Sequence, residues 1–178
     1  MTFPVFASGD VLNASDMNGV GLWLVKSQVV GTTVASVTVT GAFSADYDNY
    51  RIIYAGGVSS AAVTNLALKL GASTTGYYSS TFFAGVGAAS PSNAGVNNGA
   101  SWTYGGLATS TSTSMDFDIM NPFLAKTTVF ANGTYTDTAT FGTTNGVHSV
   151  ATSYADFTVT PGSGTLTGGT IRVYGYRN

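Results

Sequence analysis

The sequence predicts an all-β fold, and its amino-acid composition is the first observation that does so. The chain has 178 residues, of which 44% are hydrophobic and only 8% are charged, and it contains no glutamate. Glu, Lys and Arg usually supply the exposed face of a helix, whereas Val, Thr and Tyr favour the pleated surface of a strand. This composition therefore favours strands over helices.

Alternation of apolar and polar side chains is the second observation. In the segment VASVTVT, residues 34–40, an apolar side chain occupies one face and hydroxyl groups occupy the other. This two-residue period is typical of a strand with one buried face. It recurs at residues 50–54, 66–70 and 115–119.

Short apolar runs between Gly, Asn, Ser and Thr turns are the third observation. They cover residues 22–30, 77–83, 100–105, 126–132, 136–141, 147–152, 155–160 and 169–176. Together with the alternating segments they make roughly eleven or twelve short strands, as an all-β sandwich or barrel requires. We predict an antiparallel β-sandwich with a jelly-roll-like arrangement.

Two segments lack both patterns. Residues 85–99 are rich in Gly, Ala, Ser and Asn, and residues 109–114 form a run of hydroxyl side chains. Such segments are typical of surface loops, which carry function more often than strands do. We therefore predict loops at both positions, and no helix after residue 21.

Residues 1–21 differ from the rest and are predicted to form a docking arm, followed by one β-sandwich domain at 22–178. Asn13 is suited to cap a short helix that Gly19 would end, but a helix of about two turns is not stable alone. The arm is also too apolar for a solvated tail. Its predicted docking residues are Phe3, Val5, Phe6, Val11, Leu12 and Met17. The alternative is that the arm packs on its own domain or on an adjacent protomer.

The charge of the chain and its N-terminal sequence argue against nucleic acid and membranes as partners. The net charge is −2, and the six basic residues form no stripe that could neutralise phosphates, so nucleic-acid binding is not expected. No apolar run reaches membrane-spanning length, and the N-terminus lacks the pattern of a secretory signal, so we expect synthesis in a cytoplasm without membrane insertion. A weakly charged surface tolerates dense packing against other copies.

The residues that catalysis usually needs are scarce. The chain has no cysteine and one histidine, His148, within a predicted strand. A zinc site or a Ser-His-Asp arrangement cannot be assembled from this set. Asp116 and Asp118 share one face of a strand and are interpreted as its solvated side. We predict no catalytic residues, no cofactor and no enzyme activity.

One short acidic segment could bind a metal ion. Asp46, Asp48 and Asn49 lie close together in a predicted turn, where their oxygens could be presented to a hard cation such as Ca²⁺. Asp and Asn side chains also stabilise turns through the backbone, without any metal. Both interpretations stay open from the sequence.

Exposed aromatic rings are the candidates for contact with a receptor. Rings on a surface can stack on sugars, whereas most rings in an all-β chain belong to the core or to cross-strand pairs. The candidate residues for receptor contact are Tyr77, Tyr78, Trp102 and Tyr104.

Three segments carry a resemblance to bacteriophage proteins. Residues 6–18, FASGDVLNASDMN, resemble the opening of many phage tail, tail-fibre and other virion proteins. Residues 43–52 and 168–178 are similar to later parts of the same group, in the same order. The resemblance implies a virion protein, commonly trimeric, whose N-terminal segment attaches to the particle while the β-domain faces outward.

The function expected from this resemblance is that of a non-enzymatic structural subunit of the virion, made in the bacterial cytoplasm. The first hypothesis is a tail-associated or tail-fibre protein, of the kind called minor tail proteins, with a trimeric β-domain that contacts the host surface. The alternatives are a capsid decoration protein or head fibre, and a carbohydrate-binding module. Expected partners are two further copies of the chain, other tail or capsid proteins, and a host surface glycan.

Overall fold

The computed structural model describes residue 9, residues 21–136 and residues 140–176, and this part of the chain is built from β-strands. The strands are β1 (Leu22–Val29), β2 (Val37–Val39), β3 (Asn49–Ala55), β4 (Val58–Ser59), β5 (Val63–Leu70), β6 (Tyr77–Gly85), β7 (Ser92–Gly99), β8 (Trp102–Thr109), β9 (Thr113–Met120), β10 (Thr128–Thr136), β11 (Thr140–His148), β12 (Phe157–Pro161), β13 (Leu166–Thr167) and β14 (Thr170–Tyr176). The prediction of an all-β fold is confirmed. The short helix predicted in the arm lies outside the described residues. Within those residues no helix is long and apolar enough to cross a membrane.

The strand pairings in this part of the chain are antiparallel, and twelve of these strands belong to one hydrogen-bonded sheet. One group follows the order β1-β14-β3-β9-β10-β11-β6-β7, and a second group follows the order β2-β12-β5-β8. The groups are joined where Leu107 and Ala108 of β8 pair with Ser114 and Thr113 at the start of β9. Strands β4 and β13 form a separate two-stranded sheet.

The hydrophobic core draws side chains from both groups of strands. Leu66, Leu68 and Leu70 of β5 are fully buried, as their alternation predicted, and they belong to the same cluster as Ile52 of β3. The two-residue period also predicted the buried faces of β3 and β9 correctly. The rings of Trp102 in β8 and Phe130 in β10 lie 5.1 Å apart, although these strands are not paired. One core therefore connects the two groups.

The prediction of a loop over residues 85–99 is wrong for its second half. Residues Ser92–Gly99 form β7, which pairs with β6 along the margin of the sheet. An edge strand needs only backbone hydrogen bonds with one neighbour, so its side chains need not alternate in polarity. In β7, Val96 is the side chain that packs against the core.

Other strand boundaries also differ from the prediction. The strand predicted at 147–152 is wrong, because β11 ends at His148. The backbone after His148 forms hydrogen bonds outside the strands, and the N–H of Ser149 donates to the Gly76 carbonyl. The prediction of a loop over residues 109–114 holds for residues 110–112, which form a tight turn, whereas Thr109 ends β8 and Thr113 and Ser114 begin β9. In that turn the Ser112 N–H donates to the Thr109 hydroxyl over 3.0 Å.

Candidate functional site

An exposed apolar surface lies on β6 and β11. Tyr78 and Phe82 point away from the core, because they alternate with Tyr77, Ser79 and Thr81, which are buried. The antiparallel register places Val147 opposite Tyr78 and Phe141 opposite Ala84. Phe82 is 57% exposed and Phe141 is 52% exposed. We call the four side chains Tyr78, Phe82, Phe141 and Val147 the apolar face.

Two open cavities border the apolar face, and among the described residues no charged side chain lines either one. The first has a volume of about 450 Å³ and is lined by Phe82, Phe83, Ala84, Pro91, Ser114, Thr134, Phe141, Gly142 and Thr143. The second has a volume of about 560 Å³ and is lined by Tyr78, Ser79, Ser80, Val96, Asn97, Val129, Phe130, Ala131, Asn145, Gly146 and Val147. Their linings combine apolar carbon with neutral hydroxyl and amide groups. Such a surface favours a neutral, partly apolar partner over an ionic one.

The aromatic residues predicted to contact a receptor divide into two classes. Tyr78 is 36% exposed and belongs to the apolar face, and Tyr104 is partly exposed. Tyr77 and Trp102 are fully buried, so the prediction of a surface contact is wrong for both. The Tyr77 hydroxyl accepts the Leu70 N–H at 2.7 Å, and burial raises the pKa of Tyr77 to about 12. The Trp102 indole donates to the Val147 carbonyl at 3.2 Å.

The sequence contained only part of the signal for the apolar face. In 77–83 both faces of the strand carry aromatic rings, so the two-residue period could not tell the buried face from the exposed one. Phe141 was predicted to end a strand, whereas it lies near the start of β11. Which face of β6 is exposed depends on the strands that cover its other face, and the sequence of β6 alone does not contain this information.

His148 is buried and pairs with a serine. Its Nε2 atom lies 2.8 Å from the Ser73 hydroxyl oxygen, and its ring packs against Tyr77, Trp102 and Tyr154. No carboxylate in the described part of the chain forms a hydrogen bond with this ring, and the Ser73 hydroxyl also donates to the Thr75 carbonyl. Burial lowers the pKa of His148. This arrangement favours a structural role over the activation of Ser73 as a nucleophile.

Asp116 and Asp118 share the outward side of β9, as predicted, but they are not simply solvated. Arg51 of β3 lies 2.5 Å from Asp116 and 3.9 Å from Asp118, and the Tyr176 hydroxyl donates to Asp118 at 2.5 Å. Hydrogen bonding to Asp116 raises the pKa of Arg51, and burial raises the pKa of Tyr176. We call these four residues the charged cluster. Beside it lies a cavity of about 290 Å³, lined by Asn49, Asp118, Met120 and Tyr176.

The calcium candidate segment forms a turn before β3. The Asp46 carboxylate accepts a hydrogen bond from the Ser44 hydroxyl at 2.9 Å, and the Asp48 carbonyl accepts the Asn121 N–H at 2.8 Å. Asn49 is the first residue of β3. Within the described residues no three His, Cys, Asp or Glu side chains are grouped as a metal site would require. The contacts of Asp46 are those of a side chain that stabilises a turn, and calcium binding stays a prediction.

The predicted docking residues of the arm, Phe3, Val5, Phe6, Val11, Leu12 and Met17, lie outside the described residues. The described part of the chain therefore offers three candidate binding surfaces. They are the apolar face, the two cavities beside it, and the charged cluster with its own cavity. No protein-family model, curated protein or solved structure shows significant similarity to the chain.

Proposed function

We propose that this protein is a non-enzymatic structural subunit of a bacteriophage virion, tail-associated or fibre-like, which displays a trimeric β-domain and contacts the host surface. The observation that supports an assembly role best is the apolar face. Side chains as large as Phe82 and Phe141, half exposed on the outward side of a sheet, are costly to leave in water and typical of surfaces that bind other proteins. The resemblance of residues 6–18, 43–52 and 168–178 to virion proteins supplies the kind of assembly.

The groups that could suggest catalysis have structural partners instead. His148 is enclosed by three rings, and Asp116 and Asp118 are engaged by Arg51. A general base or a pair of catalytic carboxylates must face a substrate. The contacts of His148, Asp116 and Asp118 turn these groups toward other side chains of the protein instead. They support the structural role.

We also propose a sandwich architecture for the β-domain, with a jelly-roll-like arrangement. The two groups of strands would be its layers. The contact between Trp102 and Phe130, and the hydrogen bond from the Leu70 N–H of β5 to the Tyr77 hydroxyl of β6, support two layers facing each other across one core.

Labelling of the virion tests the proposed function. An antibody raised against the β-domain, visualised with gold on purified particles, should bind at the tail. Binding at the head would favour the alternative of a capsid decoration protein or head fibre. Particles that bind no antibody and contain none of the protein by mass spectrometry would contradict both versions.

Glycan binding is a second candidate function, and the cavity beside the charged cluster favours it. The side-chain amide of Asn49 can bind sugar hydroxyls, and Tyr176 lines the same cavity. A glycan array probed with the full chain would test this function. Binding that is lost with Tyr176→Ala and kept with Tyr78→Ala would support it. An array with no binding would contradict it.

A further inference from the structure

We infer that the apolar face is the surface through which copies of this chain contact one another. The inference rests on the proposed assembly function, and it assigns the self-association to the outward side chains of β6 and β11. The partner that binds the apolar face is thus another copy of the same chain.

The size of the face agrees with the size of a stable protein contact. Its four side chains together expose roughly 350 Å² of apolar surface, given about 150–250 Å² for a whole aromatic side chain. A standard interface covers about 800 Å² on each partner, of which a little over half is apolar. The apolar face thus supplies most of the apolar area that one side of such an interface requires.

The distribution of charge across the sheet favours β6 and β11 as the contact between copies. Ser80, Thr143 and Asn145 are the neutral polar side chains that alternate with the apolar ones on β6 and β11. A second copy presents the same neutral groups, so two faces can meet without burying an ion or opposing like charges. On the same side of the sheet, β3 and β9 carry Arg51 and Asp116. Burying that region between copies would cost the desolvation of charged groups.

The register shows that the two regions are separate parts of one side of the sheet. Val129 of β10 pairs with Met120 of β9 and with Val147 of β11. The apolar face therefore lies on the β11 side of Val129, and the charged cluster lies on the β9 side. Three copies can bring their apolar faces together around a three-fold axis while their charged clusters stay in water.

Mass measurement on the full-length protein tests the inference. Light scattering after size exclusion should give about three times the monomer mass of 18.1 kDa at micromolar concentration. The double variant Phe82→Ser and Phe141→Ser should give the monomer mass, while its circular dichroism keeps the β-signal of the wild type. The matched control is Leu24→Ser, because Leu24 is 56% exposed on β1 at the opposite margin of the same sheet. This control should keep the wild-type mass.

A labelling experiment keeps the inference testable if the double variant fails to fold. The chain has no cysteine, so a single introduced thiol is the only one present. In Ser80→Cys the thiol lies between Tyr78 and Phe82 and should react slowly with a maleimide. In Ser110→Cys, at an exposed position in the turn after β8, it should react fast. Dilution to the monomer should make the two rates similar.

Two results of the mass measurement would overturn the inference. One is a wild-type protein that is monomeric at micromolar concentration and above, and the other is a double variant that folds and keeps the oligomeric mass. A monomeric Ser80→Cys variant whose thiol is nevertheless protected would assign the face to another part of the same chain. A dimer that depends on Phe82 and Phe141 would support the inference and contradict the trimer in the proposed function.

Discussion

The Nε2 atom of His148 lies 2.8 Å from the hydroxyl oxygen of Ser73, although the two residues are 75 positions apart in the sequence. The pair sits where the turn after β5 meets the end of β11, and the imidazole is fully buried. Because His148 is the only histidine of the chain, any dependence of stability on histidine protonation comes from this residue.

The first prediction concerns the effect of pH on stability. Burial holds the pKa of His148 below its ordinary value of 6.5, so the unfolded chain binds a proton near pH 6 that the folded chain does not. The free energy of unfolding should therefore fall as the pH drops below about 6.5, and should level out once the folded-state pKa is passed. Urea unfolding of the wild type between pH 5 and pH 8 measures this slope.

His148→Gln provides the control for that slope. The variant lacks a group that titrates near pH 6, so its stability should change little between pH 5.5 and pH 7, even if it is lower throughout. An equal slope in the wild type and the variant would show that His148 does not cause the dependence.

The second prediction concerns the ion pair of Arg51. Arg51→Met should lower the free energy of unfolding by about 1–2 kcal/mol, because it leaves Asp116 and Asp118 side by side without their cation. Lys126→Met is the control, since Lys126 is exposed in the segment before β10, and its effect should stay within about 0.5 kcal/mol. Chemical denaturation of both variants measures the difference. Equal effects would mean that the pair contributes nothing beyond an ordinary surface charge.

The third prediction compares two neighbouring glycines between β13 and β14. Gly168 and Gly169 have φ angles of 71° and 79°, which side chains rarely adopt. A Cβ at Gly168 would meet no atom within 4 Å, whereas at Gly169 it would lie 2.4 Å from the Gly57 nitrogen. Gly168→Ala should therefore cost about 1–2 kcal/mol from backbone strain alone. Gly169→Ala should cost clearly more, because two backbone segments must separate.

Thermal unfolding of the two glycine variants checks this comparison. The melting temperature of Gly169→Ala should be the lower by several degrees, since 1 kcal/mol shifts the melting temperature of a domain of this size by about 2–4 °C. Equal melting temperatures would contradict the close approach between Gly57 and Gly169.

These contacts show which parts of the fold the sequence could predict. Leu66, Leu68 and Leu70 were predicted to be buried, because one face of their strand is apolar and the other is not. Strand β7 was not predicted, because an edge strand is specified by the backbone of β6 more than by its own side chains. Its Asn and Gly residues are typical of loops when read alone.

The apolar face was less predictable than the core, because it also depends on contacts between strands that are distant in the sequence. Tyr77 and Tyr78 are adjacent and chemically identical, yet one is in the core and the other on the surface. That choice depends on which side of β6 the second group of strands covers. Likewise, the pairing of His148 with Ser73 joins the end of β11 to the distant turn after β5, and it leaves no periodic trace in the sequence.

The fourth prediction concerns the arm. A chain that begins at Leu22 should fold with nearly the melting temperature of the full chain, but it should not be incorporated into particles. The reason is that Phe3, Phe6 and Leu12 are expected to bury their side chains on another virion protein. If they packed on their own domain instead, their loss would cost about 1.5–3 kcal/mol per fully buried side chain. A strongly destabilised shorter chain, or one that assembles normally, would contradict the docking role.

A cryo-electron microscopy map of the intact virion tests whether the chain is a structural subunit of a phage particle. We predict that density for the β-domain is found on the tail in groups of three copies. In each copy β6 and β11 should face the three-fold axis, and residues 1–21 should contact a neighbouring virion protein. A complete map of the particle in which no density fits the β-domain would contradict the proposed function.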